Sequence, residues 1–247
     1  MRKCLVLLSG GIDSSLMLTL VKEQRDDEVY AMSFDYGQRN KTELNAAIFQ
    51  AIKFGVKDHL IITIDMSSIG GSSLTDRNMN VPKDRHDSGF NWSIPSTYVP
   101  ARNSVFLSFA LGWAEVLGVE EIYIGANSLD FAGYPDCRPE YFEAFEKMAN
   151  LSTRRGMEKK FTIKIRTPLI RMSKEEIISE AINKGVDLSK TFSCYDPDYR
   201  SRACGHCDAC KLRLEGFENA GIEDPIQYVD KERDILLAMD TTLLDEQ

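Results

Sequence analysis

Leu5-Val-Leu-Leu-Ser-Gly-Gly-Ile-Asp-Ser-Ser15 is the stretch that decides how this chain folds. The apolar run Cys4–Leu8 reads as a buried strand. Ser9, Gly10 and Gly11 follow as a tight turn. Asp13, Ser14 and Ser15 open a helix whose apolar side continues through Leu16, Leu18, Leu20 and Val21. A strand, a glycine turn and a helix start together form an anion site. The first N–H groups of a helix lack intrahelical partners, and the helix dipole favours negative charge beside them. Gly10 and Gly11 let the backbone approach a phosphate with no Cβ in the way, and the three serines add hydroxyl donors. Asp13 conflicts with a phosphate cradle unless it holds a divalent cation or caps the helix. Mg²⁺ bound by one carboxylate and phosphate oxygens would remove the conflict.

Outward from this stretch the pattern is strand, helix, strand. Glu28–Asp35 places Val29, Ala31 and Ser33 on one side and Tyr30, Met32 and Phe34 on the other. Apolar residues on both sides predict a central strand covered on both faces. Arg39–Phe54 is a predicted helix with Leu44, Ala47, Ile48 and Ala51 at helical spacing, stopped by Gly55, and His59–Asp65 is a third strand. Such an order implies right-handed crossovers and a parallel sheet. Ligands then sit beyond the carboxyl ends of the strands, where the Ser-Gly-Gly and Asp35-Tyr-Gly loops fall. The long polar stretch 66–100 is a candidate lid or binding loop.

Pro100-Ala-Arg-Asn103 starts a helix that closes at Gly118, and Glu121–Ala126 is a fourth strand. Ser128–Arg138 is a loop, Pro139 starts a helix to about Leu151, and Phe161–Thr167 alternates as a further strand. Ser173-Lys-Glu-Glu176 is a capping-box start for a helix to about Lys184. The expectation is an α/β fold with a doubly wound, mainly parallel sheet and a small C-terminal four-cysteine metal segment. The predicted division is 1–185 for the nucleotide domain, 186–221 for the cysteine segment and its helix, and 222–247 for an acidic tail.

The 247 residues suit one large domain or one domain with an appendage, and no apolar run reaches membrane-spanning length. Cys4–Leu8 is too short for a signal-peptide core, so a cytoplasmic protein is the expectation. Net charge is −8, most of it in the tail, which carries eight acidic and two basic residues from Ile222 onward. Eight basic residues against one acidic lie between Arg154 and Lys174. A solvated helix end and strand edge is the favoured reading there, with an RNA or partner surface second.

Four of the six cysteines cluster as Cys194-x9-Cys204-x2-Cys207-x2-Cys210. Four thiolates in so short a span can close a tetrahedral Zn²⁺ site with no open position, which makes the role structural. An iron–sulfur cluster is the rival. His206 reads as exposed, His59 and His86 have no visible partner, and Cys4 reads as core. Cys137 is a loop thiol or, second, a nucleophile.

The loop lacks a Gly-Lys-Ser/Thr ending and the G-x-G-x-x-G spacing, so it is neither of the two commoner nucleotide loops. Ser9-Gly-Gly-Ile-Asp-Ser14 resembles the PP-loop of the ATP pyrophosphatases, which split ATP between the α and β phosphates. Further motifs follow in order: Phe34-Asp-Tyr-Gly-Gln-Arg39, Pro100-Ala-Arg-Asn103, Gly133-Tyr-Pro-Asp-Cys-Arg138, Thr167-Pro-Leu-Ile170, and Ser193-Cys-Tyr195 with the three later cysteines. Together they resemble the 7-cyano-7-deazaguanine synthases, the QueC family, from about Lys3 to Phe217. Ala101 stands where glycine is expected, and Phe131-Ala132 where Tyr-Ser is common.

The resemblance implies conversion of 7-carboxy-7-deazaguanine, ATP and ammonia to the nitrile preQ0 in queuosine biosynthesis. It implies a homodimer using ATP with Mg²⁺; the cysteine spacing favours structural zinc, and the near-neutral body and short apolar runs argue against nucleic-acid and membrane partners. ATP would be held by Leu8, Ser9, Gly10, Gly11, Ile12, Asp13, Ser14, Ser15, Leu16, Met17 and Leu18, together with Phe34. Asp13, Ser14 and Arg138 are the candidate catalytic residues. Arg102, Asn103, Asp130 and Arg138 are candidates for the base and its carboxylate, Arg138 first because its fork matches two oxygens. The alternatives are a PP-loop tRNA thiolase and a nucleotide-binding module without catalysis.

Overall fold

The computed structural model describes residues 3–24, 28–85, 94–127, 134–158 and 162–229. Asp130, His86 and residues 230–247 of the tail lie outside them. Strands β1 (Lys3–Leu7), β2 (Glu28–Asp35), β3 (Asp58–Thr63), β4 (Glu121–Tyr123) and β5 (Lys164–Arg166) form one sheet in the order β3-β2-β1-β4-β5. Every pairing is parallel. The winding reverses between β1 and β4, which opens a crevice at the carboxyl ends of those strands.

Seven helices are described: α1 (Ile12–Gln24), α2 (Thr42–Lys53), α3 (Arg102–Leu117), α4 (Pro139–Ser152), the short α5 (Arg154–Met157), α6 (Lys174–Asn183) and α7 (Asp208–Asn219). The strand alternation read from the sequence sorts them onto two faces. Leu5, Leu7, Tyr30, Met32 and Phe34 pack against α3 and α4. Cys4, Val6, Leu8, Val29 and Ala31 pack against α1, α2, α6 and α7. The doubly wound α/β expectation therefore holds.

One boundary moved and one short helix was added for local reasons. The second helix starts at Thr42 rather than Arg39, because side chains bond the backbone in a non-helical way just before it. Gln38 Oε1 accepts from the Tyr36 N–H at 2.6 Å, and Asn40 Oδ1 accepts from the Thr42 N–H at 2.7 Å. The short α5 went unread in the sequence, and Thr153 caps it by accepting the Gly156 N–H. The capping box at Ser173 is present as expected, with Ser173 and Glu176 bonding each other's backbone.

Four of the eight basic residues in the basic stretch form ion pairs. Arg154 pairs with Glu158, Lys164 with Glu146, Arg166 with Glu121 and Lys174 with Asp13. Past α7, a buried clasp holds the chain. Arg213 binds both carboxylate oxygens of Asp224 at 2.7 and 2.9 Å and reaches Thr191 and the Leu188 carbonyl. Ion and partner are 2% and 3% exposed, so removing either side chain alone would strand a buried charge.

Ala101, where the sequence led us to expect glycine, precedes α3 in the left-handed region at φ +53°. An L-residue pays a steric penalty there that glycine does not. Ala101→Gly should raise stability by about 0.5–1 kcal/mol, seen as a later denaturant midpoint at unchanged slope.

Candidate active site

The phosphate loop is built from inside by one hydroxyl. Ser14 Oγ accepts the Ser9 and Gly10 N–H groups at 3.2 Å each, meets Ser9 Oγ at 3.1 Å and donates to the Gly11 carbonyl at 3.2 Å. Ser15 Oγ donates to the same carbonyl at 2.8 Å. The loop is tied to the cysteine segment by the Phe192 N–H, which donates to the Gly10 carbonyl at 3.0 Å.

Gly10 and Gly11 have different reasons to be glycine. Gly10 has φ +86°, and a Cβ there would lie 2.2 Å from the Glu43 carbonyl oxygen and 2.7 Å from the Ala47 nitrogen. The space beside Gly10 is thus filled by α2. Around Gly11 the nearest atoms are Ser9 Oγ at 3.5 Å and the Phe192 carbonyl at 3.8 Å, so this side of the loop is open.

Lys174, the first residue of α6, answers the charge conflict at Asp13. Its Nζ lies 2.8 Å from both carboxylate oxygens, and Asn127 Nδ2 donates to one of them at 3.1 Å. The ammonium is held in place by packing. A Cβ on Gly216 of α7 would sit 2.6 Å from Lys174 Cγ, so the two helices press directly on its stem.

The loop forms one wall of a cavity of about 280 Å³. Phe34, Tyr36, Glu43, Arg102 and Tyr195 line it as well. Phe34 stacks on Phe106 with ring centroids 3.9 Å apart. Arg102 is half-buried. Burial opposes its charge, but the nearby polar groups, Tyr36 first and then Cys137, Tyr134 and Tyr195, outweigh that and keep the guanidinium protonated. Burial pushes the Tyr36 phenol up to about 12 and the Tyr195 phenol well above its ordinary value. Asn103 is committed to scaffolding. Its N–H donates to Asp136 Oδ2 at 2.9 Å, and its amide reaches the Asp136 carbonyl and Cys137 Sγ at 3.0 and 3.2 Å.

The four cysteine sulfurs lie within 4.8 Å of one another, a spacing suited to a single ion. Backbone N–H groups of Tyr195, Asp196, Cys204, His206 and Cys207 point at the sulfurs from 3.2 to 3.5 Å. Such donors favour thiolates, the ligating form. Cys194 and Tyr195 also line the cavity, so the cysteine cluster braces one of its walls.

A family model described as queuosine biosynthesis protein QueC matches residues 3–221. The chain belongs to the QueC family. Two relatives carry the name 7-cyano-7-deazaguanine synthase. The one from Syntrophobacter fumaroxidans is 54% identical over 92% of this chain and 97% of its own length. The one from Pseudomonas putida is 50% identical over 92% and 98%. Among solved structures, U34-tRNA thiolase NcsA from Methanococcus maripaludis with its [4Fe-4S] cluster shows 15% identity and a TM-score of 0.46, over 89% of this chain and 67% of that one.

Within this QueC-family chain the expected site residues divide. Leu8, Ser9, Gly11, Ile12, Asp13, Ser14, Phe34, Arg102 and Asn103 line the cavity. Gly10, Ser15, Leu16, Met17 and Leu18 do not. The last three are fully buried and pack the sheet face under α1. Arg138, expected to meet a carboxylate, is exposed, lies outside the lining and donates its Nε–H to the Pro135 carbonyl at 3.2 Å. Asp130 falls outside the described residues. Lys174, Glu43, Tyr36 and Tyr195 were missed. Lys174 had a signal in the conflict at Asp13, which called for a cation. Tyr36 and Tyr195 had one in their places inside the motifs Phe34–Arg39 and Ser193–Tyr195, although the motifs alone gave neither side chain a role.

Proposed function

We propose that this chain is a 7-cyano-7-deazaguanine synthase of the cytoplasm, making preQ0 from 7-carboxy-7-deazaguanine, ammonia and ATP. The observation that carries the reading is that one cavity joins an anion-binding helix start to a half-buried arginine. ATP would lie along Ser9–Ser14 with its base toward Phe34. Arg102, which lines the cavity where Arg138 does not, would take the substrate carboxylate as a two-pronged partner.

A carboxylate is a poor electrophile. Its oxygen attacks the α-phosphorus, pyrophosphate leaves, and the acyl-adenylate carries a good leaving group. Ammonia displaces AMP to give the amide. The amide oxygen is then adenylated by a second ATP, and loss of AMP with two protons leaves the nitrile. The free N–H groups at the start of α1 and the Lys174 ammonium stabilise the departing pyrophosphate. ATP brings Mg²⁺ to neutralise phosphate charge. Asp13 suits that ion poorly, because Lys174 takes both its oxygens, so the protein's own cation at the loop is Lys174.

Zinc on the four cysteines is the metal we propose. One ion fits sulfurs within 4.8 Å, whereas a multi-iron cluster would hold them farther apart. The homodimer and ammonia as the nitrogen source belong to the same proposal and rest on the family resemblance; the boundaries 1–185, 186–221 and 222–247 belong to it too and rest on the cysteine spacing and the acidic tail.

The test is incubation with ATP, ammonium and 7-carboxy-7-deazaguanine, following nitrile and adenine nucleotides by chromatography. Each nitrile should consume about two ATP and release AMP and pyrophosphate, because oxygen leaves the carbon twice and each departure needs activation. Supplying the amide should halve the ATP demand. ADP and phosphate as the nucleotide products, or refusal of the amide, would defeat the mechanism.

A further inference from the structure

Asp13 and Glu43 are the acidic side chains that line the cavity among the described residues. Asp13 is committed to Lys174, and Glu43 has no part in the chemistry above. It sits in the first turn of α2, its backbone carbonyl against Gly10. Gln38 Nε2 donates to its Oε1 at 2.9 Å. Gln38 is itself fixed, accepting from the Tyr36 N–H and donating to the Phe34 carbonyl at 3.0 Å. One carboxylate oxygen is therefore anchored, and no hydrogen bond to the other is found among the described residues. The charged or titratable groups around Glu43 are Arg102 from α3, Asp35 at the end of β2, and Tyr36.

We infer that Glu43 is the proton acceptor that turns bound ammonium into the attacking ammonia. This inference rests on the proposed function. Ammonium has no lone pair and cannot attack an acyl carbon. In the balanced step, acyl-adenylate and NH₄⁺ give amide, AMP and two protons. The first proton passes from ammonium to Glu43. The nitrogen lone pair forms the C–N bond, the C–O bond to AMP breaks with its electron pair leaving on AMP, and the second proton departs from the attached nitrogen.

Several other cavity groups are unsuited to this task. Lys174 and Arg102 are cations, and the Tyr36 phenol does not ionise near neutrality. Burial raises the Glu43 carboxyl to about 7, against the opposing pull of Gln38 and Arg102, where acceptance and later release are both accessible at physiological pH. The ionised carboxylate also attracts the cation it deprotonates.

Glu43→Gln separates this role from ATP activation. The variant should keep acid-dependent ATP–pyrophosphate exchange, which needs no ammonium. Its conversion of ammonium should fall about 100-fold or more. Hydroxylamine, largely unprotonated at neutral pH, needs no acceptor, so trapping of the acyl-adenylate as hydroxamate should proceed at the wild-type rate. Equal loss with both nucleophiles, or no loss with ammonium, would overturn the assignment. Should the glutamine variant lose exchange as well, Glu43→Asp decides: it keeps a carboxylate and must show measurable ammonium turnover alongside exchange. Absence of exchange in the wild-type protein would sink the proposed function itself, and this role with it.

Discussion

Lys174→Met should lower acid-dependent pyrophosphate release about 10²–10³-fold while the protein remains folded. Methionine preserves the stem that packs under Gly216 and deletes only the charge. Without the ammonium at 2.8 Å, the Asp13 carboxylate faces the incoming phosphates with Asn127 as its hydrogen-bond partner. The loss should appear in the rate of adenylation more than in the affinity for the deazapurine. Adding Asp13→Asn to Lys174→Met should recover ATP affinity, because the repulsion is gone, but not the rate, because the cation still is. Wild-type exchange in Lys174→Met would show that the pair only holds α1 to α6.

Cys207→Ser should strip the protein of its metal, from about one ion per chain to almost none, and lower the melting temperature. Cys207 is fully buried in the cluster, and its N–H donates to Cys204 Sγ at 3.3 Å, so serine cannot be accommodated by turning outward. Activity should fall in step with the loss of folded protein, since the segment Phe192–Tyr195 supplies cavity wall and a tie to the Gly10 carbonyl. Elemental analysis and thermal unfolding check this together. A brown protein containing iron and sulfide would replace zinc with an iron–sulfur cluster, and an unchanged melting temperature with no metal would remove the bracing role.

The features legible in the sequence are those written in short-range pattern. The two-sided apolar alternation of Val29–Phe34 placed β2 inside the sheet, Ser173 and Glu176 announced the start of α6, and the cysteine spacing announced four sulfurs gathered within 4.8 Å. The site was legible as far as the loop itself. What lay beyond came from tertiary contacts between distant positions. The sequence separates Lys174 from Asp13 by most of the domain, and only the crossing of α6 over α1 joins them. Arg138 and Arg102 look equivalent in a string of letters. The turn at Pro135–Cys137 directs one outward, and the start of α3 directs the other into the cavity. Ser14 was expected to face phosphate. Its bonds to the Ser9 and Gly10 N–H groups make it first of all the residue that shapes the loop.

The two neighbouring glycines would have separate histories in any descendant of this fold. Position 10 is policed by the body of the protein: a larger residue there collides with the backbone of α2 whether or not a nucleotide ever binds. Position 11 faces the open side of the loop, and only the ligand objects to a side chain there. A copy released from nucleotide chemistry would go on spelling glycine at 10 for the sake of folding and would drift first at 11. The second letter of the pair, not the first, is therefore the one that reports a working site.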